Sequence, residues 1–99
     1  MRPDFHFEWD PAKERQNLRK HRYSFRSAMS VFRDPNQMTL FDIRHSVTED
    51  RWITIGLDAS GILRVVVHTY TAIDPNTILI RMISARSATR KETAQYGRR

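Results

Sequence analysis

The chain has 99 residues, which is enough for one small domain, and we expect residues 1–99 to fold as a single unit. Its formal net charge of +6 favours an acidic partner: nucleic acid, an acidic protein or an anionic membrane. The absence of cysteine excludes disulfides and thiolate metal sites. No apolar stretch approaches membrane-spanning length, and the N-terminus lacks the apolar core of a signal peptide. We therefore expect a soluble cytoplasmic protein with no membrane partner.

The first part of the chain carries an aromatic alternation and then a helix signal. Phe5, Phe7 and Trp9 alternate with polar residues, which allows a short strand or an extended lead-in. Asp10-Pro11 predicts a helix from about Pro11 to His21, because aspartate is a good N-cap and proline suits the first helical position. We expect Ala12 and Leu18 to be its buried residues. Four polar positions share one side of this helix: Lys13, Asn17, Lys20 and His21.

A second helix is predicted after Ser24, which can serve as its N-cap. Its apolar residues follow the i, i+3, i+4, i+7 spacing of a stripe that faces a core: Phe25, Ala28, Met29 and Phe32. Asp34-Pro35-Asn36 ends this helix with residues typical of turns.

From Met38 onward the apolar period changes to two, which predicts strands. Four strands are expected, at Met38–Asp42, Arg51–Leu57, Ile62–Tyr70 and from Ile78 to about Arg86. Their short connections predict an antiparallel meander, and a last helix is expected to start near Ser87. The predicted fold class is therefore α+β, with two N-terminal helices, a four-stranded antiparallel sheet and a C-terminal helix.

Cations near the last strand are the most informative polar residues. Arg81 interrupts an apolar strand, and a buried unpaired charge there is costly, so it needs solvent, a partner or an anion. The strand-to-helix corner adds Arg86, Arg90 and Lys91, which together suit a phosphate. Ordinary solvated arginines are the other interpretation. In the preceding strand, Arg64 and His68 should project from the face opposite Leu63, Val65 and Val67, and we expect Arg81 to join them.

Several kinds of site are excluded by pattern. The four histidines have no zinc-like spacing, the three glycines form no phosphate loop, and no serine lies in a nucleophile elbow, so we expect neither a metal nor a cofactor. The cations could instead support metal-independent RNA cleavage, which needs a base for the ribose 2′-hydroxyl, cations for the phosphate and an acid for the leaving oxygen. His68 or His21 could carry the proton.

Four blocks of the sequence, in order, resemble BrnT-type toxins. Trp9, Asp10, Lys13, Asn17, Lys20 and His21 match the pattern W-D-x-x-K-x-x-x-N-x-x-K-H. Phe25, Ala28, Phe32, Asp34 and Pro35 match the next block. Asp50-Arg51-Trp52 with Ile55-Gly56 and the ending RMISARSATRKE resemble the last two. Two positions depart from the family: Ser27 replaces a common glutamate, and Arg22 stands where glycine would be usual after Lys-His.

The resemblance implies a RelE-like fold and a ribonuclease toxin that blocks translation. It also implies a BrnA-type antitoxin partner with a ribbon-helix-helix part, which alone would contact operator DNA. Together with the residue chemistry, it gives two sets of candidate residues. The expected catalytic residues are Arg51, His68, Arg81 and Arg86, and the expected RNA-binding residues are Lys20, His21, Arg64, Arg90 and Lys91. A basic module that binds nucleic acid without cleaving it, and a structural partner of an acidic protein, remain open.

Overall fold

A computed structural model describes residues 3–98, so the predicted domain, 1–99, includes three residues outside the described range. The described chain is an α+β fold with three α-helices and six strands. The strands are β1 (Asp4–Glu8), β2 (Met38–Phe41), β3 (Trp52–Leu57), β4 (Leu63–His68), β5 (Thr71–Asp74) and β6 (Thr77–Ser87). The helices are α1 (Pro11–His21), α2 (Phe25–Ala28) and α3 (Arg90–Gly97), and Met29–Arg33 and Ile43–His45 form short 3₁₀ turns.

The predicted four-stranded antiparallel sheet is wrong: the sheet is six-stranded and mixed. Its order is β1-β6-β4-β3-β2, and β5 pairs with β6 beside the end of β4. β1 runs parallel to β6, with Phe5 opposite Ile78 and Phe7 opposite Ile80. The predicted strand Ile62–Tyr70 ends at His68, where a register shift precedes the separate strand β5. The other three pairings, β2–β3, β3–β4 and β4–β6, are antiparallel as expected.

The predicted start of the fold, two N-terminal helices, is also wrong. A strand precedes α1, and the second helix is only four residues long. α1 has the predicted bounds, and Asp10 caps it by accepting a hydrogen bond from the Ala12 N–H. After α2 the backbone tightens into the 3₁₀ turn. Ser30 donates its hydroxyl to the Ser27 carbonyl there, and such local bonds compete with α-helical pairing.

The core lies between the sheet and the segment formed by α2 and its 3₁₀ turn. Three of the four residues of the predicted stripe are buried there, and Met29 packs against them. We call the sheet face they cover the α2 face; it carries Val66, Ile80, Met82 and Ala85. Phe5 and Phe7 of β1 pack against the same core. Side chains of β6 that alternate with these, Arg81 and Arg86 among them, therefore lie on the opposite face.

The last helix begins later than expected. β6 continues to Ser87, and α3 starts at Arg90 with Thr89 as N-cap. Thr89 and Glu92 form a capping box, in which each side chain accepts from the other residue's backbone N–H. α3 then packs near β3, and its Tyr96 hydroxyl donates to Asp34.

Candidate active site between α1 and β6

A polar concavity of about 310 Å³ lies between α1 and the C-terminal half of β6. Its lining residues are Lys13, Gln16, Asn17, Lys20, His21, Ile83, Ser84 and Arg86. It brings together three of the nine predicted site residues, Lys20, His21 and Arg86, and adds Lys13. Within the described chain this is a concentration of positive charge that no lining carboxylate interrupts.

The concavity exists because α1 is fixed against the edge of β6. β1 pairs with β6 only as far as Arg81, so the edge beyond it needs another partner. Asn17 supplies one: its amide accepts from the Ala85 N–H at 3.0 Å and donates to the Ala85 carbonyl at 2.8 Å. The residue that α1 buries is thus Asn17, whereas Ala12 and Leu18 are both exposed, contrary to expectation. Lys13, Lys20 and His21 share its side of the helix and are thereby held beside Arg86.

The electrostatics of the concavity favour a neutral imidazole at His21. Partial burial lowers the pKa of His21, and the positive charges of Lys20 and Arg86 lower it further. A neutral imidazole at physiological pH can accept a proton, while the flanking cations attract a phosphate.

Arg86 is held by a partner that the sequence interpretation missed. Its Nη1 and Nη2 donate to the two carboxylate oxygens of Glu92 at 2.7 and 2.9 Å. The hydrogen bonds from Arg86 lower the pKa of Glu92 to about 2, and the same pairing raises the pKa of Arg86. The signal that could have found Glu92 is the T-x-x-E capping-box pattern, which marks the start of α3.

Arg81 and Arg51 lie elsewhere, beside a shared carboxylate. Arg81 Nη2 forms an ion pair with Glu49, and Arg51 Nε lies 4.0 Å from the same side chain. Arg81 is five residues from Arg86, or about 16 Å along a strand. Its surroundings are acidic, since Glu8 and Asp50 line the same concavity as Glu49. Arg81 also does not join Arg64 and His68 on one face, because Ile80 and Met82 occupy the α2 face on either side of it.

His68 is a core residue in this structure. It is fully buried on the α2 face, and its ring packs edge-on against Phe32 at 5.0 Å between centroids. Nε2 shares a 2.7 Å hydrogen bond with the Thr54 hydroxyl, and Nδ1 lies 2.7 Å from the Thr69 carbonyl oxygen. Burial lowers the pKa of His68 to about 4, although the bond to the Thr69 carbonyl acts in the opposite direction. The imidazole is therefore neutral and out of reach of a macromolecular substrate.

The remaining predicted site residues, Arg64, Arg90 and Lys91, lie outside the α1–β6 concavity. Arg64 lies on the α2 face, donates to Asp58 at 3.0 Å and stacks over the Tyr23 ring at 3.8 Å. Arg90 and Lys91 are exposed on the first turn of α3. The nine predicted residues thus occupy several places, and the α1–β6 concavity brings a histidine together with two of the predicted cations.

Two further observations concern what residues 3–98 do not form. No three histidine, aspartate or glutamate side chains in this range come together as metal ligands would. No helix in the same range is both long and apolar enough to cross a membrane.

Comparison with known protein families decides the identity of the chain. Residues 9–92 match the family described as ribonuclease toxin, BrnT, of type II toxin-antitoxin systems. The chain belongs to the BrnT family. This family is one of ribonuclease toxins, and a type II system implies a protein antitoxin as partner.

A solved structure supports the fold assignment. The crystal structure of the Brucella abortus ribonuclease toxin BrnT is similar, with a TM-score of 0.58 and 20% sequence identity. The match covers 85% of this chain and 96% of that one, and at such identity it concerns the fold alone. A search of curated proteins finds no match. The BrnT motif residues Lys13, Asn17, Lys20 and His21 all line the α1–β6 concavity.

Proposed function

We propose that this BrnT-family chain cleaves RNA without a metal ion, in the concavity between α1 and β6. The observation that carries the proposal is the juxtaposition of His21, whose pKa is lowered, with Lys20 and Arg86. They supply the three kinds of group that the reaction needs: a proton acceptor in His21, a proton donor in Lys20 and, in Arg86, a guanidinium that matches a phosphate.

The proposed reaction is transfer of the phosphate to the neighbouring ribose hydroxyl. His21 accepts the proton of the 2′-hydroxyl as its oxygen attacks phosphorus, so that the O2′–P bond forms while the P–O5′ bond breaks. Lys13 and Arg86 stabilise the extra negative charge on the phosphate oxygens. Lys20 is the candidate donor of the proton that the leaving 5′-oxygen takes up. The products are a 2′,3′-cyclic phosphate and a 5′-hydroxyl.

The other predicted residues take outer roles in this proposal. His68 belongs to the core and contributes to stability, so His21 takes the proton-transfer role. Arg51 and Arg81 contact flanking RNA, where the nearby carboxylates weaken their attraction for phosphate. Arg90 and Lys91, exposed beside Glu92 on α3, extend the positive surface from the reaction centre. Arg64 is engaged with Asp58 and remains a peripheral contact.

The biological part of the proposal follows from the family. The chain acts in the cytoplasm, where cleavage of RNA blocks translation. A BrnA-like antitoxin with a ribbon-helix-helix part neutralises it by covering the α1–β6 concavity, and operator DNA is contacted only through that antitoxin. Because covering a basic RNA-binding surface needs complementary charge, association should slow as salt rises.

The proposal is tested by charge-matched substitutions on α1 and β6. His21→Gln, Lys20→Ala and Arg86→Ala should each reduce cleavage of a short single-stranded RNA, assayed with EDTA present, by about 100-fold or more. Arg15→Ala and Arg19→Ala remove one charge each from exposed positions on the other side of α1 and should keep nearly full activity. Melting curves establish that every variant is folded.

Four outcomes would count against the proposal. Full activity of folded His21→Gln would exclude His21 as the proton acceptor. Complete loss of wild-type activity in EDTA would exclude cleavage without a metal ion. RNA binding without any cleavage, free or in a translation reaction, would favour the non-catalytic module. For the partner, antitoxin bound to the chain should abolish cleavage; a complex that cleaves at the free rate would exclude coverage of the site.

A further inference from the structure

The pair formed by Arg86 and Glu92 has the geometry that best fixes a guanidinium. Two parallel hydrogen bonds, 2.7 and 2.9 Å long, join the end of the arginine fork to both carboxylate oxygens. The side chains are partly buried, with 34% and 19% of their surface exposed. Bidentate pairing of this kind restricts rotation of the guanidinium plane, which a single contact does not.

Glu92 is itself anchored by the start of α3. Its Oε1 accepts from the Thr89 N–H at 2.8 Å, and its own N–H donates to the Thr89 hydroxyl at 3.2 Å. The carboxylate therefore cannot follow Arg86 if the arginine moves. The spacing Arg86-x-x-Thr89-x-x-Glu92 thus ties the end of β6 to the first turn of α3.

The pair leaves part of the arginine available. Of the five N–H donors of a guanidinium, two are used by Glu92, and a longer contact of 3.3 Å reaches the Ser87 carbonyl. Arg86 nevertheless lines the α1–β6 concavity. A stiff fork at the edge of a basic concavity can meet a phosphate without first losing conformational freedom.

We infer that Glu92 is a positioning residue for RNA cleavage: it holds the Arg86 fork so that the remaining N–H groups meet the scissile phosphate. The inference rests on the reaction proposed above for this concavity. It assigns Glu92 a role beyond helix capping, although its negative charge alone would weaken RNA binding.

Two other roles for Glu92 make different predictions. If Glu92 only caps α3, removal of its capping partner Thr89 should have the same effect on cleavage as removal of the carboxylate. If Glu92 only neutralises Arg86, a neutral side chain at position 92 should raise activity. Positioning predicts instead that cleavage slows while RNA binding is kept or strengthened.

The experiment compares Glu92→Gln with Thr89→Ala in the full chain, using a fluorescent single-stranded RNA. Glutamine still offers an oxygen to the Thr89 N–H, but its amide nitrogen is a donor, so it cannot accept the two parallel guanidinium hydrogen bonds that the two carboxylate oxygens accept. Glu92→Gln should lower kcat by roughly 10- to 100-fold, with KM unchanged or lower. Thr89→Ala should keep kcat within a few-fold. Glu92→Asp should restore part of the loss, because it returns the charge with a shorter reach.

A double-mutant comparison tests whether Glu92 acts through Arg86. Once Arg86→Ala has removed the fork, adding Glu92→Gln should lower kcat no further. Independent, multiplying losses would overturn the inference, as would wild-type kcat in Glu92→Gln or equal losses in Thr89→Ala and Glu92→Gln. If Arg86→Ala and His21→Gln were both fully active, the proposed site itself would fail; if both are impaired and Glu92→Gln is not, only the positioning role fails.

Discussion

The side-chain amide of Asn17 pairs with both backbone groups of Ala85, as a neighbouring strand would. The same amide also donates to the Tyr23 carbonyl at 2.9 Å. Asn17 therefore connects the loop that follows α1 with the edge of β6. Asn17 is 5% exposed and Ala85 is fully buried, so neither group can turn to water instead. This contact sets the distance between the two walls of the candidate active site.

We predict that Asn17→Ala is strongly destabilising. It leaves the Ala85 N–H and two carbonyls buried without their partner, each at a cost of roughly 1 kcal/mol or more, and we expect a total loss of about 2–4 kcal/mol. Arg15→Ala, two residues earlier on the exposed side of α1, should change stability by less than about 0.5 kcal/mol. Urea unfolding measures both. A loss below 1 kcal/mol for Asn17→Ala would mean that α1 is held mainly by other contacts.

Arg22 ends α1 in the left-handed region, with φ of 52° and its N–H donated to the Leu18 carbonyl. This conformation is costly for a residue with a Cβ and free of that cost for glycine. Arg22→Gly should therefore stabilise the chain by about 1 kcal/mol, seen as a higher melting temperature. Arg22→Ala removes the same charge but keeps the Cβ, so it should not share the gain. Equal melting temperatures for the two variants would show that backbone strain at position 22 is negligible.

The elements specified by local signals were predictable. Asp10-Pro11 specified the start of α1, and period-two alternation placed β2, β3 and β4 within a few residues. The parallel strand β1 was not predicted as part of the sheet, because its partner lies at the other end of the chain and leaves no local pattern. β5 was missed because Ile62–Tyr70 continues the alternation up to the point where the backbone changes register.

The candidate site was predictable only in part, for a related reason. Helical spacing placed Lys20 and His21 together, and the strand-to-helix corner drew attention to Arg86. Alternation gave the correct face for His68, but it could not show that α2 and its 3₁₀ turn cover that face. The acidic partner of Arg81, Glu49, comes from the loop before β3, and only tertiary structure brings it there. Glu92 is only six residues from Arg86, and its capping-box pattern was the local signal that could have found it.

Burial of neutral His68 predicts a loss of stability in mild acid. The unfolded chain binds a proton near the ordinary pKa of 6.5, whereas the folded chain resists protonation down to about 4. Stability should therefore fall as pH drops from 6.5 to 4, by roughly 3 kcal/mol from this group. His68→Gln should lose this part of the pH dependence, whereas the exposed His6→Gln should keep it. If the difference in unfolding free energy between wild type and His68→Gln is the same at all pH values, His68 is not buried as a neutral group.

The two β6 arginines should differ in their effect on cleavage. Arg81 shares its surroundings with Glu8, Glu49 and Asp50, whereas the α1–β6 concavity around Arg86 is lined by Lys13, Lys20 and His21. Each arginine has a carboxylate partner, Glu49 for Arg81 and Glu92 for Arg86. Lys13 and Lys20 add positive charge around Arg86, whereas Glu8 and Asp50 add negative charge around Arg81, so a phosphate is attracted more strongly to Arg86. Arg81→Ala should reduce cleavage by less than about 10-fold, against about 100-fold for Arg86→Ala. Equal losses of cleavage in the two folded variants would indicate that Arg81 takes part in the reaction as much as Arg86 does.

The lowered pKa of His21 provides the last prediction, because one of its causes can be removed by substitution. Lys20 lies next to His21 in α1 and disfavours the imidazolium through its positive charge, as does Arg86. Lys20→Ala should therefore raise the pKa of His21, which NMR titration of the ring protons measures directly in the free protein. Arg15→Ala removes the same charge from the far side of the helix and should leave the titration unchanged. The wild-type cleavage rate should fall as acid protonates His21, and in Lys20→Ala the residual activity should be lost at a higher pH. A His21 titration that is identical in wild type and Lys20→Ala would mean that the two groups do not interact, and the proposed pairing of base and cation would have to be abandoned.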